Sequence, residues 1–394
     1  MNHLKKEEVT FVNQKFSSED SVVLRFGQNV QNIPYDYLQR VSIKEGVRII
    51  DLPDTISGVR VALLDLSSLS KTGTFKDCLA TITISDCLAK DIKKYVYQSS
   101  GNTGNALAAY SARHNLKSIL LYPSNSRYKL GANFIDKRYT TTVECNVPEP
   151  QIKELAKNIS ENLNLPLMPT FEHQIQSNKL RAYFIAEYCR STKKYFDWHV
   201  QSLSSGYGIF GFYRGLEELN NNFGFTKPPK LLGIQQESIH PFVNDYRKQI
   251  NLEEIPEGKA PTIEPTLFRR NPPEEFLKLM RHIVKQHGGT IEMITNKQYR
   301  QFRDKVIDML KQVNIEISFT NIPEKEMIEK AGLLALIGTM TAVKSKIIKS
   351  GERVLVAFTG GIRKANDITN FEPDFVISDI NDTYTLHNIK EKIL

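Results

Sequence analysis

The sequence predicts an α/β fold with mostly parallel sheets. Apolar runs of strand length alternate with amphipathic or alanine-rich segments of helix length. Three of the apolar runs end in loops of small and hydroxyl residues, SSGNTG, SSGYG and FTGG, as strands do when they deliver a chain to a ligand cleft. Length adds a third point: 394 residues, 40% of them apolar, exceed the usual size of one core and should divide into about two units.

Taken in order, the first sixty residues are mixed and poorly periodic, with a turn-like KEG at Lys44 to Gly46. The apolar run Val61 to Leu66 precedes SKTGTFKDCL (Ser70 to Leu79), which leads into a long amphipathic segment. Lys93 to Ser100 reads as a buried strand, GNTG as a loop, Asn105 to Asn115 as an alanine-rich helix and Lys117 to Pro123 as the next strand, a βαβ unit. Glu149 to Leu163 has helical spacing at Ile152, Leu155, Ile159 and Leu163, and Ser177 to Arg190 is a second helix with an apolar face. WHVQSLS then reads as strand, SGYG as loop, Ile209 to Leu219 as helix and PKLLGIQQE as strand. Asn251 to Pro273, rich in proline and charge, is expected to be a surface excursion, and Arg353 to Gly361 a strand ending in a glycine pair.

Bulk properties narrow the function classes. The net charge of +8 comes from 52 basic and 44 acidic residues that are scattered, so no basic, aromatic-interleaved groove for nucleic acid is expected. No run approaches the roughly 18 apolar residues of a membrane span, and the opening MNHLKKEEVT lacks the apolar core of a leader. Cys78, Cys87, Cys145 and Cys189 form no CxxC pair, which argues against a metal site and for a reducing compartment, the cytoplasm by default.

The small-residue loops each have an ordinary reading as turns or hydroxyl-capped helix starts. Lys76, between Phe75 and Asp77, could equally be a solvated surface lysine. Their combination is more informative. A lysine, a hydroxyl and asparagine loop at one helix start, and a second small-residue loop at another are what a phosphorylated aldehyde held as a Schiff base requires.

On these residues the chain resembles the threonine synthase-like family of fold-type II pyridoxal-phosphate-dependent enzymes. SKTGTFKD resembles that family's cofactor-lysine motif and SSGNTG its asparagine loop; IKEG (Ile43 to Gly46), SSGYGIFGFYRGLEEL, PTLFRRNPPEEF, KQHGGTIE and AFTGGIRKAND follow in the family's order. The resemblance implies the tryptophan synthase β-like fold, with two domains, each a central mostly parallel sheet flanked by helices. The larger would comprise 1–84 plus 191–394, and the smaller 85–190 with SSGNTG. It implies pyridoxal 5'-phosphate bound in the cleft between them. Lys76 would carry the cofactor and, once displaced by substrate, take the α-proton. Asn102 would face the 3'-oxygen, Ser204, Ser205, Gly206, Tyr207 and Gly208 the 5'-phosphate, and Thr359 the pyridine nitrogen. Ser100, Gly101 and Thr103 would bind the substrate carboxylate, with Thr74 and Asn271 also on the substrate side.

Tyr207 departs from the family's glycine-rich cup, and a positive φ there would cost a tyrosine about 1 to 2 kcal/mol. A phosphorylated substrate would also need cations. Candidates are Lys71, Arg127, Lys129, Lys179, Arg181, Arg269 and Arg270, with Arg270, Arg127 and Lys71 ranked first because arginine suits bidentate phosphate capture and Lys71 shares the Lys76 motif. The implied reaction is loss of phosphate from an O-phospho amino acid and addition of water to give L-threonine. A β-replacement or β-elimination of the cysteate synthase or ammonia-lyase kind is the alternative, and a non-catalytic relative a third. The family implies a homodimer.

Overall fold

Continuous apolar runs, rather than alternating ones, mark strands covered on both faces, and the two sheets are built from such runs. In the computed structural model, which describes residues 21–99, 101–223, 228–257, 260–267, 269–315, 330–360 and 372–393, the strands are β1 (Arg48–Asp51), β2 (Arg60–Asp65), β3 (Lys94–Gln98), β4 (Lys117–Pro123), β5 (Thr140–Cys145), β6 (Trp198–Ser202), β7 (Lys230–Gln236), β8 (Gly289–Ile294), β9 (Arg353–Phe358) and β10 (Phe375–Ile377). The helices are α1 (Val22–Phe26), α2 (Tyr35–Val41), α3 (Lys76–Ala89), α4 (Asn102–Arg113), α5 (Glu149–Leu163), α6 (Phe171–Thr192), α7 (Tyr207–Phe223), α8 (Pro241–Gln249), α9 (Glu274–His287), α10 (Asn296–Gln312), α11 (Lys330–Lys344) and α12 (Thr383–Ile393).

One sheet has the order β1-β2-β9-β6-β7-β8, parallel except for β1. The other, β10-β5-β4-β3, is parallel throughout. Each sheet is buried on both sides: along β2, Ala62 and Leu64 join one apolar cluster while Val61 and Leu63 join another. Along β4, Leu120 and Tyr122 face one cluster and Ile119 and Leu121 the other.

The structure refines several sequence expectations. The GNTG segment is the first turn of α4, not a separate loop, because the Ser99 hydroxyl accepts from the N–H groups of Gly101 (3.1 Å) and Gly104 (2.8 Å) and caps the helix directly at the strand end. SGYG likewise runs into α7, which starts at Tyr207. The poorly periodic N-terminal stretch contains α1, α2 and β1. Glu45 of the KEG turn is buried and accepts from Thr81 of α3 (2.7 Å) and Tyr110 of α4 (2.8 Å), so it clamps two helices together.

Two segments lie elsewhere than the expected division at 85 and 190 puts them. The long α6 packs along α7, on the six-stranded sheet's side. Residues 375–377 cross back to pair with β5, fixed by Asp374, whose carboxylate accepts from the Thr142 N–H and hydroxyl, both at 2.8 Å. Among the described residues no helix is long and apolar enough to cross a membrane.

Candidate active site

The carboxyl ends of β2, β3, β6 and β9 converge on one cavity of about 520 Å³, lined from both sheets' segments. Parallel pairing sets this convergence. Asp65 at the end of β2 is in register with Phe358 at the end of β9. Beyond them, the Phe75 N–H donates to the Thr359 carbonyl at 3.2 Å, and Thr74 bridges Gly360. This backbone stitch holds Lys76 next to Thr359.

Lys76 is the first residue of α3 and lines the cavity. A lysine at a helix N-terminus opposes the macrodipole, a local cost that suits an amine held in its neutral form. Burial, reinforced by the charge of Arg181, lowers its pKa from the usual lysine range to about 7. Its Nζ lies 4.3 Å from the centre of the Phe75 ring.

Across the cavity, Ser204, Ser205, Gly206, Tyr207 and Gly208 lead from β6 into α7. The first turn of a helix has N–H groups without intrahelical acceptors, an anion-binding arrangement. Gly206 takes the positive φ of +91°, and a Cβ there would stand 2.5 Å from the Phe210 ring. Tyr207 is not among the residues with positive φ, so the expected strain is absent: the turn places its unusual geometry one residue earlier. Asn102 and Thr103 of α4, together with Thr359 just beyond β9, complete the polar lining.

Other expected residues are not brought to the cavity. Thr74 is buried, its hydroxyl accepting from the Lys76 N–H at 3.3 Å. Gly101 packs against Lys129. Lys71 is exposed and outside the lining, as is Asn271. Arg127 pairs with Glu144 (2.8 Å) and Glu372 (3.1 Å), and Arg270 with Glu257 (2.6 Å), both away from the lining. Lys129 is paired with Glu264, and Lys179 with Glu218 at 3.1 Å. Ser100 lies outside the described residues.

The cation of the RR pair that does reach the cavity is Arg269. Its Nη1 is 3.9 Å from Glu149, and its buried Nε has no hydrogen-bond partner among the described residues. Lys153, one turn along α5 from Glu149 and paired with it, lines the same wall, with burial pulling its amine below the usual lysine pKa. Neither Glu149 nor Lys153 stands out in the sequence, where an i,i+4 acid and base on an amphipathic helix looks like a surface pair. For Arg269 the sequence signal is the adjacent pair, and residue type alone does not say which of the two arginines lines the cavity.

The donor set fits a phosphorylated aldehyde: an amine whose pKa is lowered to about 7, a helix-start loop for the phosphate, and polar side chains on the remaining wall. A family model described as "Pyridoxal-phosphate dependent enzyme" matches residues 48–309. Threonine synthase of Methanocaldococcus jannaschii is 23% identical over 345 residues, covering 82% of this chain and 78% of that protein. Cysteate synthase of Methanospirillum hungatei is 23% identical over 340 residues, covering 80% and 73%. Among solved structures, threonine deaminase isoform 2 from Solanum lycopersicum, in its processed form, superposes with a TM-score of 0.59 at 15% identity, covering 98% of each chain. Diaminopropionate ammonia lyase from Escherichia coli does so with 0.61 at 13%, covering 90% of this chain and 93% of that one. At these identities the structural likeness speaks to the fold, which is that of fold-type II enzymes.

Proposed function

The chain belongs to the pyridoxal-phosphate dependent enzyme family, and from that premise we propose that it is a lyase resembling threonine synthase, acting on an O-phospho amino acid. Pyridoxal 5'-phosphate, when bound, supplies an electron sink for a proton lost at the substrate Cα. The protein supplies the rest. Lys76 holds the cofactor and moves the Cα proton, and its depressed pKa keeps the amine available as a base near neutrality. The Ser204–Gly208 loop would take the cofactor phosphate, and Asn102 and Thr359, in the same lining, would orient the ring. Thr103, which lines the cavity, is assigned the substrate carboxylate, with Ser100 of the same SSGNTG segment.

The observation that carries the substrate class is Arg269. A partly buried guanidinium in the lining of the Lys76 cavity, with Lys153 beside it, gives two cations against the single carboxylate of Glu149 and suits a dianionic leaving group. On this reading protons are lost from Cα and Cβ, the Cγ–O bond breaks and phosphate leaves toward Arg269 and Lys153, Cγ takes up a proton, and water adds at Cβ with return of a proton to Cα, giving L-threonine from O-phosphohomoserine. The similarity to cysteate synthase, equal in identity to that with threonine synthase, favours keeping β-replacement or β-elimination as the second reading. The cleft would lie between two units, the smaller being 85–190 with α6 reassigned to the larger and residues 375–377 added. A cytoplasmic homodimer is proposed on the family resemblance.

The test is phosphate release from O-phosphohomoserine and from O-phosphoserine plus a nucleophile, with the amino-acid product identified. Arg269→Ala should raise KM for the phosphorylated substrate about tenfold or more, ~1.4 kcal/mol, with cofactor uptake unchanged. Phosphate-independent turnover, or an unaltered kcat/KM in R269A, would move the assignment to the second reading.

A further inference from the structure

Arg181 on α6 is 1% exposed, yet no carboxylate among the described residues pairs with it. Its Nη2 donates to the carbonyl of Gly208 in the α7 loop, its Nη1 to the Gln201 side chain at 3.2 Å, and its Nε finds no partner. The Phe75 ring lies 5.3 Å from the guanidinium and 4.3 Å from the Lys76 amine, so one ring is within cation–π range of both cations. The carboxylates around it are engaged elsewhere: Glu45 and Asp77 line a small cavity with Arg181, but neither forms an ion pair with it, and Glu45 accepts from Thr81 and Tyr110. Burial pushes the Cys78 thiol well up, and burial with Arg181 holds His199 neutral, its ring packed 4.1 Å from that of Phe212. Glu149, Lys153 and Arg269 stand on the cavity wall, and Asp77 is tied to Thr72.

A buried cation without a counter-ion is costly, and proteins keep one where an anion arrives. The anion due here is the cofactor phosphate, which would be held by the Ser204–Gly208 loop, whose Gly208 carbonyl the guanidinium already contacts. We infer that Arg181 is the counter-charge of the cofactor phosphate, a positioning residue acting through the Gly208 peptide and the Gln201 amide without touching the phosphate. This rests on family membership and not on the choice of reaction. With the same charge, Arg181 discourages protonation of Lys76, so one buried residue both attracts the cofactor's anionic end and readies the amine that meets its aldehyde end.

The experiment compares pyridoxal 5'-phosphate with pyridoxal, which lacks only the phosphate, on the full chain stripped of cofactor. Binding is read from visible absorbance and from borohydride trapping at Lys76. Wild type should prefer the phosphorylated form. Arg181→Met should narrow that preference by about tenfold or more and move the pH midpoint of pyridoxal trapping upward, because Lys76 regains proton affinity. Arg181→Lys, which keeps the charge, should restore the preference to within about threefold. If R181M does not fold, Arg181→Gln, with an amide N–H for the Gly208 carbonyl, carries the same two readouts. An unchanged preference and midpoint in the neutral variant, or a loss in R181K equal to that in R181M, overturns the inference. A wild type that traps neither compound refutes the cofactor assignment instead.

Discussion

A lysine beginning a helix is a poor choice for the helix and a useful one for chemistry. Lys76 is legible from SKTGTFKD, as are Asn102, Ser204 to Gly208 and Thr359, because strand-end loops of small residues are local features that need no knowledge of the partner strand. The cations are less legible. Arg127 and Arg270 rank first on charge type alone, but Glu144, Glu372 and Glu257, distant in sequence or on an excursion, claim them in space. Arg181, which no ion pair claims among the described residues, is among the candidate cations in the sequence but ranks below Arg270, Arg127 and Lys71. The lowered pKa of Lys76 gives a signed expectation. Below about 7 the amine is protonated and cannot attack an aldehyde, so the rate of borohydride-trappable adduct formation in stripped protein should rise through pH 7 and level off above about pH 8. Lys76→Ala should abolish the trapped adduct, as read by peptide mass. A rate that keeps rising toward about pH 10, the ordinary lysine range, or label on another lysine, would remove Lys76 from its role.

Helix α7 approaches α6 more closely than side chains normally allow. A Cβ on Gly211 would lie 2.4 Å from the Asn178 Cβ and 2.6 Å from the Ile175 carbonyl, and one on Gly215 2.8 Å from the Ala182 Cβ. This contact brings Arg181 under the α7 loop, so the element, and not the residue alone, sets the site. Gly211→Ala is expected to destabilise by about 1 to 3 kcal/mol through overpacking and to weaken pyridoxal phosphate uptake, measured by the thermal midpoint with and without cofactor. An unshifted midpoint would mean that α6 can move away freely. The β3-α4-β4 unit and α5 are readable in the sequence because each shows a clear period and punctuation. Helix α11 is not: KAGLLALIGTMTAV is buried all round, against the six-stranded sheet, and uniform apolarity carries no period. Strand β5, TTTVEC, hides behind its threonines, which are buried in the structure although their hydroxyls look polar in the sequence.

At the scale of the whole molecule, the six-stranded sheet is joined by its latest member in the chain. Strand β9 pairs β2 on one side and β6 on the other. Without it, β1-β2 and β6-β7-β8 are separate pieces, and Thr359 is lost from the Lys76 stitch. A chain ended after Glu352 is expected to be insoluble or to melt without cooperativity, whereas loss of 372–394 alone should leave the larger sheet paired and expose the edge of β5. Soluble yield and circular dichroism melts separate the two, and a cooperatively melting chain ended at Glu352 would show that β9 is not the joining strand. The same topology sets a timetable on the ribosome. At about 5–20 residues per second, β2 waits roughly 15 to 60 seconds for β9 to be synthesised. During that interval one side of β2 and one side of β6 are unpaired apolar strand edges. The open edges of β2 and, once made, of β6 therefore persist until β9 emerges, which is the interval in which aggregation competes with folding of the nascent chain.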